Sequence, residues 1–192
     1  MKKGKKTLSK QEIYFPDEDS FLLSEVLEKE IKKLSNQKLS IKILDMGSGS
    51  GIQAKTAIDA GANPKSITLG DINSEAIKHL KKTFTKSKII HSNLFEKIKG
   101  KFDLIIFNPP YLPEDKFDKE KDTTGGKKGN EIIIKFLKQA KSHLAKDKDG
   151  KILLLTSSLT PKINFKKFGY DSKLLVKKKI FFEELYVWQI KK

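Results

Sequence analysis

Four short apolar runs limit what this chain can fold into. Ser40–Met46, Ser66–Asp71, Phe102–Phe107 and Lys151–Ser157 are too short for buried helices, and each is dense in Ile, Leu, Val or Phe. Such runs read as strands covered on both faces. Between them lie stretches with helical spacing, over 51–60, Ser74–Phe84 and Gly129–Ala145. A further helix is expected from the acidic turn Asp17-Glu18-Asp19, with Phe21, Leu22, Val26, Leu27, Ile31 and Leu34 on one face. Strand–helix alternation implies βαβ units, a parallel sheet and right-handed crossovers. Lys88–His91 adds a short strand and Pro161–Phe168 a weak helix. The runs 172–180 and 183–190 are expected to pair antiparallel through a turn at Ile180-Phe181-Phe182.

The 192 residues suffice for about one ordinary domain. No run approaches the roughly 20 uncharged residues that a bilayer demands. The start, Met1-Lys2-Lys3-Gly4-Lys5-Lys6, is not followed by an apolar segment, so no secretory signal is expected and the location is read as cytoplasmic. Cysteine is absent, which removes thiol nucleophiles, disulfides and cysteine-based metal sites. The net charge of +16 comes from lysine alone, without a single arginine. A surface shaped to grip phosphates usually includes arginine's planar fork, so compositional bias and a nucleic-acid surface both stand as readings.

Open parallel sheets bind ligands beyond the carboxyl ends of their strands, and three motifs fall there. In Asp45-Met46-Gly47-Ser48-Gly49-Ser50-Gly51 the glycines permit a tight turn and close ligand approach. The loop lacks the Lys-Ser/Thr of a phosphate-binding P-loop and the spacing of a dinucleotide fingerprint. Asp45 would attract a cation such as an amino group; the alternative is a purely structural turn. Asp71 ends the second strand, where a carboxylate can hold ribose hydroxyls, or else cap the following helix. Asn108-Pro109-Pro110-Tyr111 follows a buried strand. The Asn108 side-chain oxygen and the Pro109 carbonyl can accept from one planar NH₂ group, and Tyr111 can stack on the flat amide or base carrying it. Orientation and electrostatics would then favour attack by a poorly nucleophilic nitrogen.

Together these motifs resemble those of class I S-adenosylmethionine-dependent methyltransferases acting on planar nitrogens. Pro16-Asp17-Glu18-Asp19-Ser20-Phe21-Leu22-Leu23 and Gly125-Gly126-Lys127-Lys128-Gly129-Asn130-Glu131 narrow the likeness to the HemK-like release-factor glutamine methyltransferases, in their short archaeal and eukaryotic branch. The resemblance implies an α/β, Rossmann-like fold. Its sheet would have seven strands, mostly parallel with one antiparallel, and helices on both faces. The basic, polar stretch over 1–11 reads as a mobile tail, and 12–192 as one methyltransferase domain. S-adenosyl-L-methionine would be the cofactor, lying against Ser20, Asp45, Gly47, Ser48, Gly49, Asp71, Ile72, Asn93, Leu94 and Asn108. Asn108, Pro109, Pro110 and Tyr111 would bind substrate, with Asn108, Pro109 and Tyr111 catalytic. The sequence departs from the family pattern at Asn93, where Asp is usual, and at Ser20 and Asp45, where Thr and Glu are common in this branch.

The resemblance implies N5-methylation of a glutamine in a peptide chain release factor, hence a part in translation termination. An exocyclic amine of adenine or guanine in RNA or DNA is the alternative substrate. A non-catalytic binding module is a third reading, which the intact motifs disfavour. Implied partners are the release factor and a small zinc-binding activator protein at an apolar sheet edge near Ile89-Ile90, with incidental RNA contact by lysines and no membrane. His79, His91 and His143 are too scattered for a metal, and none is expected. Phe181-Phe182 reads as core or a sheet-end turn, and Asp115 and Asp118 as solvated.

Overall fold

The computed structural model describes residues 13–36, 40–112, 126, 128–145 and 150–192. The expected tail over 1–11, Asp115, Asp118, Gly125 and Lys127 lie outside the described residues. Strands β1 (Ile43–Met46), β2 (Ile67–Asp71), β3 (Lys88–His91), β4 (Leu104–Phe107), β5 (Lys151–Ser157), β6 (Asp171–Ile180) and β7 (Glu183–Lys191) form one sheet in the order β3-β2-β1-β4-β5-β7-β6. β7 alone runs against its neighbours, pairing antiparallel with both β5 and β6. This is the Rossmann-like arrangement expected. The order turns back at β1, which pairs with β2 on one side and β4 on the other, so the switch point lies between their carboxyl ends.

Helices α1 (Glu18–Ser35), α2 (Ile52–Asp59) and α3 (Ser74–Thr83) cover one face, and α4 (Glu131–Ala140) the other. Leu23, Leu27 and Ile31 of α1 are fully buried with Ala54, Ala57 and Leu80 against Ile43, Leu69 and Leu104. On the opposite face Ile133, Phe136 and Leu137 pack on Leu44, Ile105 and Leu154. β1, β2, β4 and β5 are buried along their whole length, which explains why their sequences read as unbroken apolar runs rather than alternations.

The differences from the sequence reading lie at element ends. β1 begins at Ile43, because the Lys42 N–H donates to the Asp103 carboxylate instead of continuing a ladder. β4 likewise starts at Leu104, with Phe102 joined to Leu144 by an isolated bridge. The helix expected over Gly129–Ala145 is regular only from Glu131 to Ala140, then tightens to a 3₁₀ turn over Lys141–His143. Over Pro161–Phe168 only the 3₁₀ turn Phe165–Phe168 forms, opened by the Asn164 side chain and closed by left-handed Gly169. Phe181 and Phe182 are in the β6–β7 turn at 94% and 99% exposure, so the core alternative for them is wrong.

Candidate active site

The glycine loop is built by the strand before it and the helix after it. Gly47, Gly49 and Gly51 all have positive φ, a region unfavourable to other residues. Gly47 and Ser48 donate to the Gly70 carbonyl at 2.7 and 3.2 Å, and the Ser48 hydroxyl donates to the Asp45 carbonyl at 2.8 Å. A Cβ at Gly49 would meet nothing closer than 3.9 Å, so that residue leaves its space to the cleft. Gly51 serves packing instead: a Cβ there would lie 2.3 Å from the Phe84 ring.

Two carboxylates stand beneath this loop. Asp71 accepts from the Gly49 N–H and the Asn73 N–H, each at 2.7 Å. Asn73, not Asp71, caps α3 by accepting from Glu75, which removes the helix-cap alternative. Asp45 is 2% exposed, and its Oδ2 has no partner among the described residues. Burial pushes its carboxyl up to about 8, opposed by a hydrogen bond from the Ala54 backbone and reinforced by the Asp71 charge. Such a group gains by meeting a cation.

The second corner joins the start of α1 to the end of β4. The Asn108 amide nitrogen donates to Asp19 Oδ2 at 3.0 Å and to Ser20 Oγ at 3.4 Å. Only the nitrogen can donate to a carboxylate, so the side-chain orientation is fixed. Asn108 Oδ1 is then buried without a partner among the described residues. Tyr14 and Tyr111 also donate to Asp19, at 3.1 and 3.5 Å. Burial first, and then the Asp19 charge, hold both phenols well above their usual range, so they remain protonated donors. The Tyr111 carbonyl accepts from Thr160 Oγ1, which pins the turn to the loop after β5.

A cleft of about 440 Å³ opens between these corners. Ser20, Asp45, Gly47, Ser48, Gly49, Asp71, Ile72 and Asn108–Tyr111 all line it. Asn93 and Leu94 are not on its wall; Leu94 adopts a φ of 50°, and Asn93 Nδ2 donates to Glu96 at 2.8 Å. The sequence reading gave no role to Asp19, which gathers Tyr14, Asn108 and Tyr111, or to Glu183, which lines the cleft from β7. Asp19 carried a signal in its motif segment, whereas Glu183 had no local one. Of that other segment, Glu131 accepts from the Lys128 and Asn130 N–H groups and so organises the entry to α4. Among the described residues the wall carries five carboxylates (Asp17, Asp19, Asp45, Asp71 and Glu183) and no lysine, an acidic cleft in a strongly basic chain.

Residues 14–165 match the family model described as the methyltransferase small domain. The chain belongs to that family. It is 36% identical over 189 residues, 92% of this chain and 90% of the other, to a Methanocaldococcus jannaschii protein named "Putative protein N5-glutamine methyltransferase MJ0928". It is 39% identical to the release factor glutamine methyltransferase of Borreliella burgdorferi, over 54% of this chain and 41% of that one. The fold matches Mtq2 of E. cuniculi with a TM-score of 0.71 and 24% identity, over 94% of this chain and 98% of that chain. That structure is of an Mtq2–Trm112 complex described as responsible for methylation of the eRF1 translation termination factor. The methyltransferase takes its methyl group from S-adenosylmethionine. The cleft fits such a ligand, since the unpartnered buried Asp45 carboxyl and the open space at Gly49 suit a cationic molecule lying close to the backbone.

Proposed function

We propose that this methyltransferase places a methyl group on the side-chain N5 of a glutamine in a peptide chain release factor. The observation that carries the reading is the divided role of Asn108. Its NH₂ is committed to Asp19 and Ser20, and its oxygen is left buried and free to accept. An acceptor held this way binds an amide NH₂ without any reorganisation of its own. The Pro109 carbonyl supplies a second acceptor, Pro110 stiffens the turn, and Tyr111 offers the amide a flat ring whose hydroxyl is turned to Asp19.

S-adenosylmethionine, when bound, supplies an electrophilic methyl carbon on a cationic sulfur. Asp45 would hold its amino group, Asp71 its ribose, and Gly47, Ser48 and Gly49 the backbone approach. Ile72 is 62% exposed on the wall and offers an apolar surface to a base. Asn93, whose oxygen is not used in its bond to Glu96, and Leu94 lie off the cleft wall and would meet the adenine only if the ligand reaches beyond Ile72. Ser20 steadies Asn108 from the α1 side.

A nucleic-acid substrate is disfavoured by the acidic wall, which repels phosphates at the place where the target base would have to enter. The lysines at 166–167 and 177–179 would meet RNA only incidentally, since Lys177 and Lys178 already pair with Glu184 and Glu18. An activator subunit, zinc-binding by resemblance, would join the edge strand β3, where Ile89 and Ile90 are half-buried. No helix among the described residues is long and apolar enough to cross a membrane.

Methyl transfer from labelled S-adenosylmethionine to a release factor, compared with transfer to RNA, tests the substrate, and mass spectrometry locates the modified glutamine. In the same assay Asn108→Ala is expected to lose about 10²-fold or more in kcat while unfolding as the wild type does. Near-native kcat in the folded variant would refute the clamp.

A further inference from the structure

Glu183 is the cleft group for which the mechanism so far has no use. It is the first residue of β7, the strand that runs against the rest of the sheet. Because of that reversal the start of β7 lies beside the end of β5, at the ligand-binding edge. Leu185 pairs with Ser157, and Glu183 with Ile180. Ser158 locks the next residue: its N–H donates to the Glu184 carbonyl at 2.8 Å, and its hydroxyl accepts from the Glu184 N–H at 3.0 Å. Glu183 therefore sits between the turn and a backbone hydrogen-bonded to the end of β5. Its side chain lines the cleft, and Oε2 is buried with no partner among the described residues.

The groups facing it are Tyr14 and Asp17 from the segment before α1, Asp19 from α1 and Tyr111 after β4; its charge is felt at both phenols. Both phenols donate to Asp19, so neither neutralises Glu183. Lys178, on the neighbouring strand, is taken up by Glu18 at 2.5 Å. Oε2 is thus a buried acceptor with no donor among the described residues, and a ligand that brings an N–H supplies one.

We propose that Glu183 is the acceptor on the far side of the substrate nitrogen from Asn108, and that it receives the proton this nitrogen sheds. The proposal rests on the glutamine reading of the site. The nitrogen forms its bond to the methyl carbon as that carbon's bond to sulfur breaks, with the sulfur keeping the electron pair. The nitrogen is then cationic, and one of its two protons passes to the Glu183 carboxylate and from there to water. A negative charge fixed beside the nitrogen also lowers the cost of the positive charge that develops on it.

The test uses the full chain with Glu183→Gln and Glu183→Asp. A glutamine peptide that the wild type methylates serves as probe. Calorimetry gives peptide affinity without cofactor and, separately, S-adenosylmethionine affinity. Glu183→Gln keeps shape and hydrogen-bonding capacity but lacks charge. It is expected to lose about 10²-fold in kcat, to bind the peptide a few-fold more weakly, and to bind S-adenosylmethionine as the wild type does. Glu183→Asp should recover part of kcat. Wild-type kcat and peptide affinity in Glu183→Gln would overturn the proposal. So would an equal loss of S-adenosylmethionine affinity, which would mark Glu183 as scaffold. If the wild type methylates RNA and no glutamine peptide, the glutamine reading falls, and the same variants assayed on that RNA decide the role of Glu183 separately.

Discussion

Asp45 shows how one buried carboxyl links cofactor binding to stability. Its folded-state value of about 8 lies above the ordinary 3.8, so folding takes up a proton between those limits. The unfolded chain binds fewer protons there, and the stability owed to this group falls as pH rises, by up to about 1.4 kcal/mol per pH unit. Above the folded value both states are ionised and the loss stops growing. Asp45→Asn removes the titration. In thermal unfolding of the ligand-free protein, the melting temperature of this variant relative to wild type is expected to climb between about pH 6 and about pH 8. The same variant should bind S-adenosylmethionine more weakly by calorimetry, because a neutral amide has little attraction for an ammonium. At this scale the sequence was informative wherever a residue sits in a local turn, as with Gly47, Gly49 and Asn108–Tyr111. The motif segment marks Asp19, but its ties to Asn108 and Tyr111, 89 and 92 residues away, and the arrival of Glu183 from β7 are recorded by no local pattern.

At the scale of elements, the strands were legible because burial on both faces leaves uninterrupted apolar runs, and the helices because α1, α3 and α4 each bury one stripe. Boundaries were less so, since they depend on partners such as Asp103 for Lys42, or on Asn164 and Gly169 reducing an expected helix to a single turn. The glycine loop teaches a related point. A ligand-binding reading treats its glycines alike, yet Gly51, at a φ of 83°, is where the loop and α2 meet Phe84 and Leu80 at the end of α3. Gly51→Ala combines backbone strain with overpacking and is expected to cost about 2–4 kcal/mol. Thermal melting should register this as a drop of about 5–15 °C. Gly49→Ala, which meets no packed neighbour, should lose less stability in the same measurement.

For the molecule as a whole, a charge of +16 surrounds an acidic cleft. Like charges on the exterior repel one another and are screened by salt. The melting temperature is therefore expected to rise as sodium chloride goes from about 0.05 to about 0.5 M, a gain that scanning calorimetry can measure. A surface whose cations are all lysines says little about partners, and the reading of function rests instead on Asn108, in an acidic cleft that composition conceals. The long-range ties are also whole-molecule features: the buried Lys151–Glu30 ion pair joins β5 to α1 across 121 residues of chain.

The two margins of the sheet are unlike. β6, ten residues long, is interrupted by an irregularity between Leu174 and Val176 and carries Lys173, Lys177, Lys178 and Lys179. Repulsion and distortion discourage another strand from zipping onto it. β3 has only four residues, with two isoleucines at its centre. Among the described residues growth by strand addition is therefore one-sided: a visitor has a single berth at β3, and once that is taken the sheet offers no hospitable flank from which a filament could propagate.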